Sequence, residues 1–277
     1  MERDLLYIDI LGFSNMVNEH SPKIPQIFDI FNGLSVHDHY AFRTIVFSDT
    51  IIVFNGNNED NEDNDMPNHY YVTYLIEFAQ QLFYRLLSIG VYYRGFIAYG
   101  DFEFHELSNI QAYWGNALIE AYEDDNKKDE NNRINGFGLF VRRDLSDDIV
   151  ILDKMPVGEK YNFVFLCQSY INLYKKVNGI LPVNINLLTE TDEFDRIDED
   201  LAFFREIAFL KDNHPCETIR EKYQTVYDWY NRKTPKFFEI FERQGFLPFV
   251  LNPGFTGSIN PFEIRAKREL INCKTRQ

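Results

Sequence analysis

Cysteine is scarce in this chain. Its 277 residues include only Cys167, Cys216 and Cys273, far apart and odd in number. No CxxC pair occurs, so neither a disulfide framework nor a zinc cluster built on paired thiolates is supported. Long apolar runs are absent as well. No stretch approaches the roughly 20 apolar residues that a membrane-crossing helix needs. The opening residues, MERDLLYIDI, contain a short apolar run without a basic segment before it or a small-residue cleavage site after it, so no secretory leader is expected. Positive charge is also in short supply. Lys and Arg number 28 against 43 Asp and Glu, which gives a net charge of −15 and a pI near 4.8. Such a surface repels nucleic-acid backbones and anionic membranes. Neither is expected as a partner, and a cytoplasmic location is the expectation.

What is abundant is apolar and aromatic. Hydrophobic residues make up 45% of the chain and aromatic residues 16%, with 26 Phe and 17 Tyr, enough to bury a real core and to argue against disorder. The length allows one large domain or two small ones. Leu5–Ile10 reads as a buried strand running into the turn Leu11-Gly12-Phe13. Residues 24–39 have helical spacing. Ala41–Phe47 and Thr50–Phe54 are β-branched and aromatic runs separated by Ser48-Asp49, which predicts a tight hairpin with Asp49 near its tip. Asn55–Asn68 is a polar, acidic loop whose spacing does not fit a calcium-binding EF-hand. Tyr70–Ile89 carries a strong apolar stripe at helical period. Val91–Tyr99 and Phe102–His105 follow as strands, then a helix from Gly115 to Tyr122 that runs into acidic residues.

The order is strand, helix, two strands, helix, two strands, helix. That is the ferredoxin-like or palm order of an α+β domain, one sheet with helices on one face. From about Phe163 the texture turns helical, with segments at Phe163–Val177, Leu201–Lys211, Cys216–Tyr230 and Pro235–Arg243. The reading is therefore a catalytic domain over 1–160 and a largely helical C-terminal extension or subdomain over 161–277.

Two carboxylates carry the chemistry. A triphosphate is repelled by so acidic a protein unless bound cations reverse the local sign. Two divalent ions on neighbouring carboxylates neutralise phosphates and activate an oxygen nucleophile. Asp9 closes the first strand, and Asp49 tips the hairpin expected beside it. Gly12 lets the backbone approach phosphate, with N–H groups at the start of the following helix as donors.

At this point a resemblance emerges. Tyr7-Ile8-Asp9-Ile10-Leu11-Gly12-Phe13 and Phe47-Ser48-Asp49-Thr50-Ile51-Ile52-Val53-Phe54 resemble the two metal motifs of class III nucleotidyl cyclases. Arg94-Gly95-Phe96-Ile97-Ala98-Tyr99-Gly100 resembles their next strand, and Trp114-Gly115-Asn116 the start of their last active-site helix. The likeness spans about Leu5 to Tyr122, with four motifs in order. It implies that Asp9, Asp49 and the Ile10 carbonyl hold two Mn²⁺ or Mg²⁺ ions. It implies that the Leu11-Gly12-Phe13 backbone cradles phosphates. It also implies a homodimer whose two active sites each take groups from both copies.

The departures redirect the expected substrate. Where the family places its purine-reading Lys and Asp, this chain has Ile45 and Ala112. Without those hydrogen bonds, adenine or guanine selection of the usual kind is lost. The chain is then closest in character to the anti-phage pyrimidine cyclases of the Pycsar type, which make cyclic UMP or cyclic CMP for a separate effector. Thr44, Ile45, Ala112 and Tyr113 become the expected pocket walls. The family's transition-state Asn and Arg fall at Ile119 and Glu123. Arg94 is the expected substitute for the cation, with Arg142 and Arg143 behind it. Two rival readings are a cyclase-like nucleotide sensor without turnover and a diguanylate cyclase or polymerase relative. The hairpin reads FSDT rather than GGDEF or GGDD, which counts against the last.

Overall fold

A computed structural model describes residues 1–56, 69–126, 134–178, 180–184 and 192–252. The chain forms two compact units, Met1–Ile134 with Gly138–Val164, and Asn135–Phe137 with Phe165–Gln277. The acidic stretch at 59–65, Cys273 and part of the acidic run after Glu123 lie outside the described residues.

The first unit is α+β. Its strands are β1 (Glu2–Ile10), β2 (Phe42–Phe47), β3 (Thr50–Asn55), β4 (Tyr93–Asp101), β7 (Gly138–Arg142), β8 (Lys154–Val157) and β9 (Tyr161–Val164), with β5 (Glu103–Glu106) and β6 (Gln111–Trp114) as a separate hairpin. The large sheet runs β2-β3-β1-β4-β7-β9-β8. Its first four strands are mutually antiparallel, so β1 lies between β3 and β4. This is the split β-α-β arrangement of a ferredoxin-like core, as the order of elements predicts. Residues 138–164, whose sequence pattern predicts no strand, add three more. β7 joins β4 in parallel, and β9 and β8 continue antiparallel. The helix expected from Phe163 begins only at Gln168, because 161–164 is strand.

Helices α1 (Phe13–Asn18) and α2 (Lys23–Asn32) connect β1 to β2. The single helix expected over 24–39 stops at Gly33, whose N–H returns to the Asp29 and Ile30 carbonyls. A short 3₁₀ turn follows at Ser35–Asp38. Helix α3 (Tyr70–Leu87) buries an unbroken apolar stripe that includes Leu75, Ala79, Leu82 and Leu86, each worth roughly 1.5–3 kcal/mol of burial for the leucines. Gly90, at φ +64, ends it, and the Val91 N–H closes back on the Leu86 carbonyl.

Coverage of the sheet departs from expectation. Adjacent residues of a strand face opposite sides. The Tyr93 hydroxyl donates to the Ala79 carbonyl of α3, while Arg94 donates to the Asp125 carbonyl of α4 (Asn116–Asn126). So α3 covers one face and α4 the other. The turn before α4 requires Gly115. A Cβ there would lie 2.2 Å from the Asp101 carbonyl oxygen. A four-residue helix, α5 (Arg143–Ser146), follows β7.

The second unit contains α6 (Gln168–Val177), α7 (Ile197–Asn213), α8 (Glu217–Lys233) and α9 (Pro235–Arg243). Its core is aromatic. Tyr170 packs against Phe204, Phe237 and Phe241, and Phe238 packs against Phe204 and Phe246. The fully buried Asp200 accepts the Tyr170 N–H at 2.9 Å.

Candidate active site

The β2–β3 hairpin turns at Ser48-Asp49, with Ser48 left-handed at φ 55. Asp9 lies directly opposite Thr50 on β3. One step further along, the Ile10 N–H donates to the Asp49 carbonyl at 3.1 Å. Asp49, in the hairpin turn, is thus one position before the residue opposite Asp9, and both aspartates are half-buried. The backbone then turns through Gly12 in the left-handed region, φ 75, into α1. Phe13 is buried edge-to-face on Phe28. The Gly12 carbonyl accepts the first helical hydrogen bond, from Met16. No side chain caps this helix start, so its first N–H groups have no partner of that kind. Leu11 differs from Gly12 and Phe13 here. Its N–H is taken by the Tyr92 carbonyl at 3.0 Å, which leaves Gly12 and Phe13 as the backbone donors of the turn.

Around Asp9 the sheet supplies a polar patch under α4. Register puts Arg94 opposite Asp9 on the other flank of β1, so the two share a face. Arg94 is only 4% exposed. It donates to the Asp125 carbonyl at 3.1 Å and pairs with the Asp125 carboxylate at 3.3 Å. Tyr7, two residues before Asp9 on the same face, packs edge-to-face on Tyr122. Burial drives the Tyr7 phenol well above its usual range; the charges of Asp125 and Asp9 add to this, and a hydrogen bond with Thr50 opposes it. Tyr7 and Asp125 were not anticipated. Tyr7 was available as the same-face neighbour of Asp9 in an alternating strand. Asp125 is reached only through the docking of α4.

The other expected residues are spread out. Ile45 pairs with Ile52 and shares the face of Tyr7 and Asp9. Thr44 pairs with Val53 and points to the opposite face, where its buried hydroxyl has no hydrogen-bond partner. Ala112 and Tyr113 lie on β6, paired with His105 and Phe104. Phe104 packs on Phe54, which is opposite Leu5. Leu5 is four residues from Asp9, about 13 Å at roughly 3.3 Å per residue. Within one chain, then, Ala112 sits toward the far end of β1 from the aspartates, whereas Ile45 lies at the register position of Tyr7, two residues short of Asp9.

Ile119 and Tyr122 are more than half exposed on α4, and Glu123 is exposed too. Arg142 is bound to Asp144 and reaches Glu120 at 3.5 Å, and Arg143 pairs with Asp147. On the inner side of α4, Asp124 accepts from Lys160 and from the Tyr161 hydroxyl. Among the described residues no group of three or more His, Cys, Asp or Glu is disposed to hold a metal. Two aspartates and a carbonyl fit a hard cation that keeps water and phosphate ligands, rather than one caged entirely by protein. No helix among the described residues is long and apolar enough to cross a membrane.

No protein-family model matches the chain, and no curated protein does. Solved structures of similar fold include the guanylyl cyclase domain of the RhoGC fusion protein from the aquatic fungus Blastocladiella emersonii. It is 10% identical, with 58% of this chain and 92% of that one covered, at a TM-score of 0.42. A bacterial light-regulated adenylyl cyclase is 12% identical over 65% of this chain and 98% of its own, also at 0.42. A class III adenylyl cyclase-like ATP-binding protein from Pseudomonas aeruginosa is 15% identical over 45% of this chain and 31% of its own, at 0.33.

Proposed function

We propose that the protein is a nucleotidyl cyclase that converts a pyrimidine nucleoside triphosphate, UTP or CTP, to the 3′,5′-cyclic monophosphate and pyrophosphate. The observation that carries this reading is the Asp9–Asp49 pair. The strand end and the hairpin tip meet one ladder position apart, beside the uncapped Gly12-Phe13 turn. The two motifs around these aspartates are the ones that resemble class III cyclases.

Asp9, Asp49 and the Ile10 carbonyl would hold two Mn²⁺ or Mg²⁺ ions. Bound there, such ions supply charge neutralisation and lower the pKa of the ribose 3′-hydroxyl. Gly12 and Phe13 donate backbone N–H groups to phosphate oxygens. Arg94 neutralises the carboxylate-rich underside of the site through Asp125, which makes it a positioning residue rather than a clamp on the substrate. The separation of the aspartates from Ala112 within one chain supports a homodimer with shared sites. The cyclic product would serve a separate effector in anti-phage defence, with the enzyme in the cytoplasm.

A second reading, a nucleotide sensor without turnover, is favoured by one observation. Arg94, Arg142 and Arg143 are all committed to carboxylates, and Ile119 and Glu123 offer no cation. One assay decides between them. Purified protein with Mn²⁺ and each of the four triphosphates should yield a cyclic pyrimidine monophosphate by mass spectrometry. Asp49→Ala should lower the yield at least about 100-fold, the scale expected when a metal-bearing group is lost. Nucleotide binding with no cyclic product would leave the sensor; a linear dinucleotide would make the chain a polymerase-like enzyme.

A further inference from the structure

A cleft lies on the α4 face of the sheet, between the edge strand β2 and the β5–β6 hairpin. Arg3, Tyr40, Arg43, Phe54, Phe104 and Glu106 line it. Phe54 is its floor. The Phe54 ring packs on Phe102 at 4.8 Å and on Phe104 at 5.4 Å. The Arg3 guanidinium lies 5.4 Å above it and is anchored to the carbonyls of Phe102 and Asn55. Tyr40 is 66% exposed, yet its ring is stacked on His39, so it presents a fixed aromatic wall. Arg43 is opposite Phe54 in register. Among the described residues its exposed side chain forms no ion pair or hydrogen bond. On a chain of net charge −15, a slot with two guanidinium groups and three aromatic rings is suited to a planar, acceptor-rich ring.

The cleft borders both places where base-reading groups are missing. Ile45 is the next residue after Arg43 on the same face of β2. Ala112 is paired with His105, between Phe104 and Glu106. We propose that Arg43 and Glu106 read the base here and select cytosine. The parallel N–H donors of a guanidinium match the adjacent acceptors O2 and N3 of cytosine, and a carboxylate accepts from its N4 amino group. Uracil reverses two of these three groups. It offers an N3–H to the arginine and an O4 lone pair to the carboxylate, so both contacts fail. One such mismatched pairing typically lowers affinity by roughly 10- to 100-fold.

This inference rests on the cyclase reading for the ligand being a nucleotide, but its test needs neither metal nor turnover. Isothermal titration of the full chain with CMP, UMP, AMP and GMP should show CMP binding at least about tenfold tighter than the others. Arg43→Ala should weaken CMP at least tenfold, and Glu106→Gln, whose amide can also donate to O4, should narrow the gap between CMP and UMP. Both side chains are exposed, so unchanged thermal melts are expected for the two variants. UMP or GMP binding as tight as CMP, absence of CMP binding, or an Arg43→Ala protein that binds CMP unchanged would overturn the assignment. The Mn²⁺ turnover assay run beside it separates the two claims. CMP binding through Arg43 without any cyclic product removes the cyclase reading and keeps this site. Turnover of UTP that ignores Arg43 does the reverse.

Discussion

Asp4 sits in β1 on the face opposite Asp9, and burial pushes its carboxyl up to about 6, partly opposed by His69 and Arg142. The folded chain therefore keeps this proton to higher pH than the unfolded chain does. The resulting stability is fully present below the unfolded pKa near 4 and is lost as pH rises through 6. Asp4→Asn should then raise the thermal midpoint at pH 8, by the equivalent of about 1–2 kcal/mol after allowing for partial exposure, and change little near pH 3. An equal shift at both pH values would sink this account. Arg94 makes a second case. Its partner Asp125 has a side chain only 9% exposed, and breaking a buried pair from one side costs about 3 kcal/mol. Arg94→Ala should unfold well below the parent in urea, and adding Asp125→Asn should recover part of the loss. If the double variant is no better than the single one, the pair is not what holds α4 at this point.

At the scale of elements, the turn into α4 depends on one residue. Gly115 has φ +153, and a methyl group would strike the Asp101 carbonyl and the Phe102 Cα, both backbone. Gly115→Ala should cost about 3 kcal/mol, measured by denaturant unfolding, because strand ends rather than flexible side chains must move. What pattern alone revealed at this scale follows the physics of each element. The β2–β3 hairpin and α3 were legible because period and turn chemistry agree over their whole length, and with the hairpin came Asp49 beside Asp9. Residues 138–164 were not, since their strands are four or five residues long and are fixed by neighbours already in the sheet. The 3₁₀ turn after Gly33 hid inside a helical spacing. Thr44 and Ile45 were both expected to wall one pocket, but successive strand residues face opposite sides. The engagement of Arg94 was hidden for a different reason: its partner is 31 residues away in sequence and meets it only because α4 crosses the sheet.

For the whole molecule, the roughly 13 Å between the aspartates and the Arg43 end of the sheet yields a test of shared sites. In a two-fold dimer each site would join the aspartates of one copy to the cleft of the other. Asp49→Ala and Arg43→Ala proteins, each nearly inactive alone, should regain about a quarter of parental activity when unfolded together and refolded as a mixture, since half of the dimers would carry one intact site. No recovery, with mixed dimers present by native mass spectrometry, would mean that each site is built within one chain.

Asn135–Phe137 belongs to the helical unit although the residues on either side belong to the sheet unit. Phe137 packs edge-to-face on Phe203 and Tyr223, and Gly136 lies so close to Trp229 that a Cβ would come within 2.6 Å of its ring. The peptide thus crosses between the units three times, and no single cut separates them. A gene truncated after codon 164 would encode the whole sheet yet strand a glycine and a phenylalanine shaped for partners it no longer makes. Any replacement of the C-terminal segment would have to bring a matching three-residue insert at 135–137 with it.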